Sequence, residues 1–170
     1  MVVIIGLLAL VWFRYEKTDV AKDQGIVVSP VETPTVIPNQ PRSLCFAFHQ
    51  KGSNGMEDKD LLRLDLNGSS VSGELKLLPI EKDTKVGTLI GTVSDVDKKS
   101  MSRTVDAWWD THAEGMNTKE QLSIVFGEGT ASIGFGEMKD RGDGVYIYAY
   151  PEKISYSLNL TDVACEDLNK

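Results

Sequence analysis

The residues of this 170-residue chain with most scope for chemistry are carboxylates that strand pairing would bring together. If Gly127 to Thr130 form a tight turn, Phe126, Ile124 and Leu122 face Ala131, Ile133 and Phe135, while Ser123 and Gln121 face Gly134 and Gly136. One face is then apolar and the other polar. Continued by two more residues, the same register sets Glu120 opposite Glu137 on the core-side face. Facing carboxylates destabilise a sheet unless a cation, a ligand amine or a shared proton compensates, so the pair marks a candidate ligand-binding rim. Strands that fray into solvent at this point would let the two side chains diverge instead.

Other residues carry weaker chemistry. His112 and Glu114, in the loop segment His112 to Thr118, could serve acid-base work, but no nucleophile or orienting group accompanies them. An ordinary loop is the simpler reading; Glu114 stays a candidate ligand contact and the chain reads as a binding protein more than an enzyme. Trp108 and Trp109 are adjacent, so on a strand they point to opposite faces. With Val105, Ala107 and Trp109 inward, Asp106, Trp108 and Asp110 form an outward acidic and aromatic stripe, which makes Trp108 a candidate contact. The opposite assignment would line an interior with polar groups, as a ligand-holding barrel can. Tyr146, Tyr148 and Tyr150 share one face over roughly 13 Å of strand, the stiff, amphipathic surface that interfaces favour. Arg141-Gly142-Asp143 sits in a turn, Lys139 to Gly144, and turn chemistry accounts for it. Asp140 and Asp143 are too few for calcium, and Gly134 and Gly136 precede no helix that would cradle a phosphate. No metal and no cofactor is expected.

These residues are positioned by short strands. Beyond Ser43 the apolar period is two, with turn residues every eight to twelve positions, the pattern of an all-β barrel or sandwich. The strands read as Leu44 to Gln50, Asp60 to Leu66, Val71 to Leu78, Val86 to Val93, Ser102 to Thr111, Lys119 to Phe126, Thr130 to Met138, Val145 to Tyr150 and Ser155 to Asp162. Eight or nine antiparallel strands suit a small meander closing into a barrel, with a β-sandwich as the alternative. Around Asn67 to Ser70, Leu66, Leu64 and Leu62 meet Val71, Gly73 and Leu75, and Arg63 meets Glu74 as an exposed ion pair. A turn at Pro151 to Ile154 would set Val145, Ile147 and Ala149 against Leu160, Leu158 and Tyr156, leaving the three tyrosines outward beside Asn159, Ser157 and Ser155.

Residues 43–170 form this domain. Residues 18–42 are a Pro-rich linker with Pro30, Pro34, Pro38 and Pro41, and residues 1–17 hold an apolar signal or anchor segment. Val2 to Phe13 is an unbroken apolar run of 12 residues, about 18 Å as a helix against a hydrocarbon core of ~30 Å. It lacks a preceding Lys or Arg and a small-x-small cleavage site, so it reads as an uncleaved membrane anchor. Arg14 and Lys17 argue for the reverse orientation, and a first helix of a cytosolic protein is the remaining alternative. The formal net charge of -7 belongs entirely to residues 43–170, because positive and negative charges balance before them. Nucleic acid is excluded as a partner, since it requires clustered Lys and Arg. The expectation is an extracytoplasmic domain of the cell envelope, tethered by residues 2–13, that binds a small molecule or an envelope protein; a structural envelope module and an enzyme using loop carboxylates are the alternatives.

With Leu44, Phe46 and Phe48 in the core, Cys45, Ala47 and His49 take the other face of the first strand. Two cysteines at opposite ends of an exported domain, Cys45 and Cys165, are most simply a disulfide, worth up to ~4.7 kcal/mol by chain entropy. Two unrelated buried thiols are the alternative. Zinc is disfavoured because Cys45 and His49 lie about 13 Å apart on a strand. Leu44-Cys45-Phe46, the block from Trp108-Trp109 through Ala113-Glu114-Gly115-Met116, the run Gly134-Phe135-Gly136-Glu137-Met138 and the closing Thr161-Asp162-Val163-Ala164-Cys165 resemble short exported bacterial β-proteins of uncharacterised function. That resemblance implies an exported all-β domain and no particular activity.

Overall fold

The computed structural model describes residues 40–52, 55–80 and 82–169. The apolar run at residues 2–13 and the Pro-rich linker up to residue 39 lie outside them. Ten strands follow in order: β1 (Arg42–Lys51), β2 (Glu57–Asn67), β3 (Ser70–Leu78), β4 (Lys85–Val93), β5 (Arg103–Ala113), β6 (Met116–Gly127), β7 (Thr130–Phe135), β8 (Met138–Asp140), β9 (Val145–Tyr148) and β10 (Ser155–Val163). Strands β1 to β7 pair in sequence, and β10 pairs with both β7 and β1, closing an antiparallel barrel of eight strands.

The alternation that makes these segments strands also fills the barrel. Leu62, Leu64, Leu75, Leu89, Val105, Ile124, Ile133 and Leu160 are fully buried, one or more from nearly every staved position of the wall. Eight strands enclose just enough space for such side chains to meet at the axis, so the middle is solid core. Register follows the expected parity: Leu66 faces Val71, Leu64 faces Gly73, Leu62 faces Leu75, and Phe126 faces Ala131. The β6–β7 turn places Glu128 and Gly129 at φ of 49° and 77°, the two successive left-handed residues of a tight hairpin, and the glycine takes the second without Cβ strain. Arg63 does face Glu74, but each pairs along its own strand instead, Arg63 with Asp65 at 3.1 Å and Glu74 with Lys76 at 3.0 Å.

Two expectations are corrected. The segment Thr130 to Met138 is not one strand: β7 stops at Phe135 and β8 begins at Met138. Nor do Val145 to Tyr150 and Ser155 to Asp162 form a hairpin. Strand β10 already has β1 on one edge and β7 on the other, so no edge remains for β9. Parity alone could not separate the two partners, because Ala131 and Ile133 of β7 oppose Leu160 and Leu158 with the same apolar alternation. Strand β9 instead pairs in parallel with the upper part of β6, Lys119 with Val145 and Glu120 with Tyr146, and carries β8 outside it.

Cys45 and Cys165 form a disulfide with Cα atoms 5.1 Å apart. It ties a short 3-10 helix, Cys165–Asn169, against the outer face of the wall. Cys45, Ala47 and Leu61 point outward yet are buried there, and Leu61 shares a small hollow with Leu168.

Candidate functional site

Glu120 is brought to the upper mouth of the barrel, the end where β1 finishes and β6 begins. Glu137 is not brought with it. The β6–β7 ladder runs only from Gly127 and Thr130 to Ile124 and Ile133, after which β7 leaves. Glu120 therefore faces Trp109 on one side and Tyr146 on the other, while Glu137 is exposed beyond β7 and contributes its carbonyl to the amide of Ala149. The unfavourable carboxylate pairing never arises.

A residue from two strands away compensates Glu120. Inward positions on β4 run Val93, Gly91, Leu89, Gly87 and Lys85, so Lys85 enters the mouth at the upper end of its strand. Its ammonium donates to both carboxylate oxygens of Glu120, at 2.7 and 2.6 Å, and Thr118 Oγ1 donates to Oε1 at 2.9 Å. To reach them Lys85 passes over Trp109, with Nζ 5.0 Å from the ring centroid. Trp109 is inward, as one of the two parities required, together with Val105 and Ala107.

These side chains edge a cavity of about 220 Å³ whose remaining wall is mainly hydrocarbon, from Leu75, Leu77, Leu122, Ile133, Phe135 and Met138. Trp109 is only 3% exposed, and its indole Nε1 has no hydrogen-bond partner. Thr111, two residues further along the same inward face of β5, is equally buried and its Oγ1 is also unpartnered. A buried polar atom left unpaired costs about 1–3 kcal/mol, so two on neighbouring inward positions of one strand require an account.

Where β7 departs, Tyr148 fills the gap. Its hydroxyl donates to the carbonyl of Gly134 at 2.9 Å and accepts from the amide of Ser123 at 3.3 Å, the two backbone groups that a continued ladder would present to each other. A Cβ on Gly134 would lie 2.7 Å from Ile154 Cγ2 and 2.9 Å from the Ser123 carbonyl, so only glycine permits this approach. Burial raises the Tyr148 phenol above its ordinary value, outweighing the Ser123 amide, which lowers it. The expected outward tyrosine face is thereby overturned: Tyr148 is 5% exposed, Tyr146 is half-buried, and only Tyr150, at 46%, faces solvent freely. The reason is that β9 lies over the mouth beside β6 and does not extend the wall next to β10.

The remaining candidates are dispersed. Trp108 is outward, opposite Ile90 on β4 and Gln121 on β6. Glu114 is exposed in the β5–β6 turn; a hydrogen bond shared with the Asp83 carboxyl raises its pKa, and the charge of Asp83 adds to this. His112 does not meet it, holding Asn117 Oδ1 at 2.8 Å through Nδ1. Arg141 and Asp143 close on each other at 2.5 Å in the exposed β8–β9 turn. At the upper end of β2, Asp60 accepts from the Leu78 amide at 3.3 Å; burial nevertheless raises its pKa, Asp58 adding in the same sense against that hydrogen bond.

A larger hollow of about 530 Å³ opens at the lower end, beside Arg42, Arg103, Met101 and the disulfide. Arg103 is committed to the Ser94 carbonyl at 2.7 Å, and neither unpartnered buried side-chain atom found among the described residues lies there. The upper mouth is thus the better-built site. Lys85 and Trp109, its central residues, were not singled out from sequence as ligand contacts; the inward parity of β4 was the available signal for Lys85.

Fold and site together define a small closed antiparallel barrel with a solid core and one polar, partly desolvated mouth. No family model matches the chain, and no curated protein and no solved structure matches it.

Proposed function

We propose that residues 43–170 are a binding domain, tethered to a membrane by the N-terminal apolar segment and displayed outside the cytoplasm, that takes a small molecule in its upper mouth. The observation that carries this is the buried, unpartnered indole Nε1 of Trp109, a residue that lines a cavity walled mainly by hydrocarbon. Concave apolar space with few convergent polar groups is the usual form of a ligand site. The Lys85–Glu120 ion pair is mutually neutralised, which suits orientation of a ligand better than acid-base turnover. The run Val2 to Phe13 and the two cysteines support the tether and an oxidising address.

Purification of the full-length protein, followed by solvent extraction and mass spectrometry, tests the reading. A small molecule retained by the wild type and lost from W109F supports it, whereas identical, empty extracts refute retention at this mouth.

A second reading rests on the outer wall, where Ile90 (66% exposed) lies directly opposite Trp108 (36% exposed). An apolar pair flanked by Asp106 and Asp110 is suited to an envelope-protein partner. Capture of such a partner by the wild type but not by I90S/W108S would favour this surface over the mouth.

A further inference from the structure

We infer that the upper mouth selects an uncharged ligand whose polar end is a hydrogen-bond acceptor of the carbonyl type on a short hydrocarbon body. This rests on the ligand-binding reading above and adds the chemical class.

The polar groups of the mouth divide into those already paired and those still open. Glu120 accepts from Lys85 through both oxygens and from Thr118 through one, so most of its lone-pair directions are used. Gln121 Oε1 accepts from the Tyr148 amide at 3.2 Å, and the Tyr148 hydroxyl is spent on Gly134 and Ser123. What remains is mainly donating. The Trp109 indole N–H has no partner, and an ammonium has three N–H groups of which the two short bonds to Glu120 use two. A ligand group placed among them must accept.

Charge then narrows the class. Lys85 and Glu120 sum to zero, so an anionic head would meet the Glu120 carboxylate and a cationic head the Lys85 ammonium, each in a place where burial makes repulsion expensive. A neutral carbonyl satisfies the donors without either penalty. Size bounds the body. At roughly 30 Å³ for each water-sized unit, about 220 Å³ accommodates roughly seven or eight non-hydrogen atoms, below the 300–1,000 Å³ typical of drug-sized sites. Leu75, Leu77, Leu122, Ile133 and Phe135 supply the apolar wall for it.

The test uses uniformly 15N-labelled full-length protein titrated with hexanamide, hexanoate and hexylamine, which share a six-carbon body and differ in the head. The Trp109 indole resonance is assigned by its loss in W109F. Hexanamide is expected to move that resonance downfield to saturation and to bind about tenfold more tightly than either charged probe. W109F, which keeps an aromatic ring and removes the N–H, should weaken hexanamide about tenfold; the wild-type titration stands independently should that variant not fold. Tighter binding of hexanoate or hexylamine overturns the head-group assignment and leaves the ligand-binding reading intact. Hexanamide binding that leaves the Trp109 resonance unmoved overturns the indole as its partner. Failure of all three probes to perturb any resonance from the cavity wall overturns the ligand-binding reading itself.

Discussion

Replacing Tyr148 by Phe removes a single oxygen that completes the hydrogen bonding of two backbone groups. The ring packs against Gly136 and is retained, so no large cavity is created. The lost hydroxyl leaves the Gly134 carbonyl, bonded at 2.9 Å, and the Ser123 amide, bonded at 3.3 Å, without their partner at a buried point where β6 and β7 have already separated. At about 1–3 kcal/mol for each unsatisfied group, with the longer bond at the low end, the expected loss is about 2–4 kcal/mol. For a domain of this size unfolding entropy converts each kcal/mol into about 4 °C, so Tm should fall by roughly 8–16 °C. The linkage to pH gives a second signature. Burial raises the Tyr148 phenol above its ordinary value of 10.0, so the folded state holds the proton more tightly than the unfolded chain. That contribution is fully present below pH 10 and is lost as pH rises through the folded value, a decline that Y148F should lack. Urea denaturation of wild type, Y148F and the exposed-site control Y150F, across neutral to alkaline pH, measures both. A loss in Y148F below about 0.5 kcal/mol, or one matched by Y150F, would refute the claim that the hydroxyl bridges the divided ladder.

Three further outcomes follow from the same structure. Reduction of Cys45–Cys165, whose residues are 120 apart in sequence, should cost up to about 5 kcal/mol by chain entropy, read as a lower denaturant midpoint that reductant no longer changes in C45A/C165A. K85M should destabilise by about 1–3 kcal/mol by leaving the Glu120 carboxylate without its cation, and K85M/E120Q should recover most of it; strictly additive losses in the double-mutant cycle would show that the pair is not coupled. D60N keeps an acceptor for the Leu78 amide and removes a charge that burial disfavours, so it should raise the denaturant midpoint at pH 7. Since the folded carboxyl holds its proton more tightly than the unfolded one, that advantage should shrink as pH falls through the folded value; an advantage constant with pH would reject burial as its cause.

The sequence by itself determined what depends on a period of two. Alternation assigned Leu62, Leu64 and Leu66 to one face, paired them with Leu75, Gly73 and Val71, offered Trp109 as an inward residue with Val105 and Ala107, and identified the Cys45–Cys165 disulfide from the only two cysteines in the chain. Those statements concern neighbours along a strand, across one tight turn, or in a choice with few members. Only the tertiary structure decided what depends on closure. Parity allowed β10 to pair with β7 or with β9, and the choice fell to β7 because β10 lies inside a closed wall with both edges taken. The same closure left the upper part of β6 free for β9, drew Tyr148 into the gap, and separated Glu120 from Glu137. Lys85 meets Glu120 across an intervening strand although the ladders align Glu120 with Leu89, four residues further along β4: in a flat sheet the two would stand about 16 Å apart, and the strand tilt and curvature of a small closed barrel bring their side chains together at one mouth. Pairing rules that act locally along the chain cannot see that convergence, and it is what assembles the mouth.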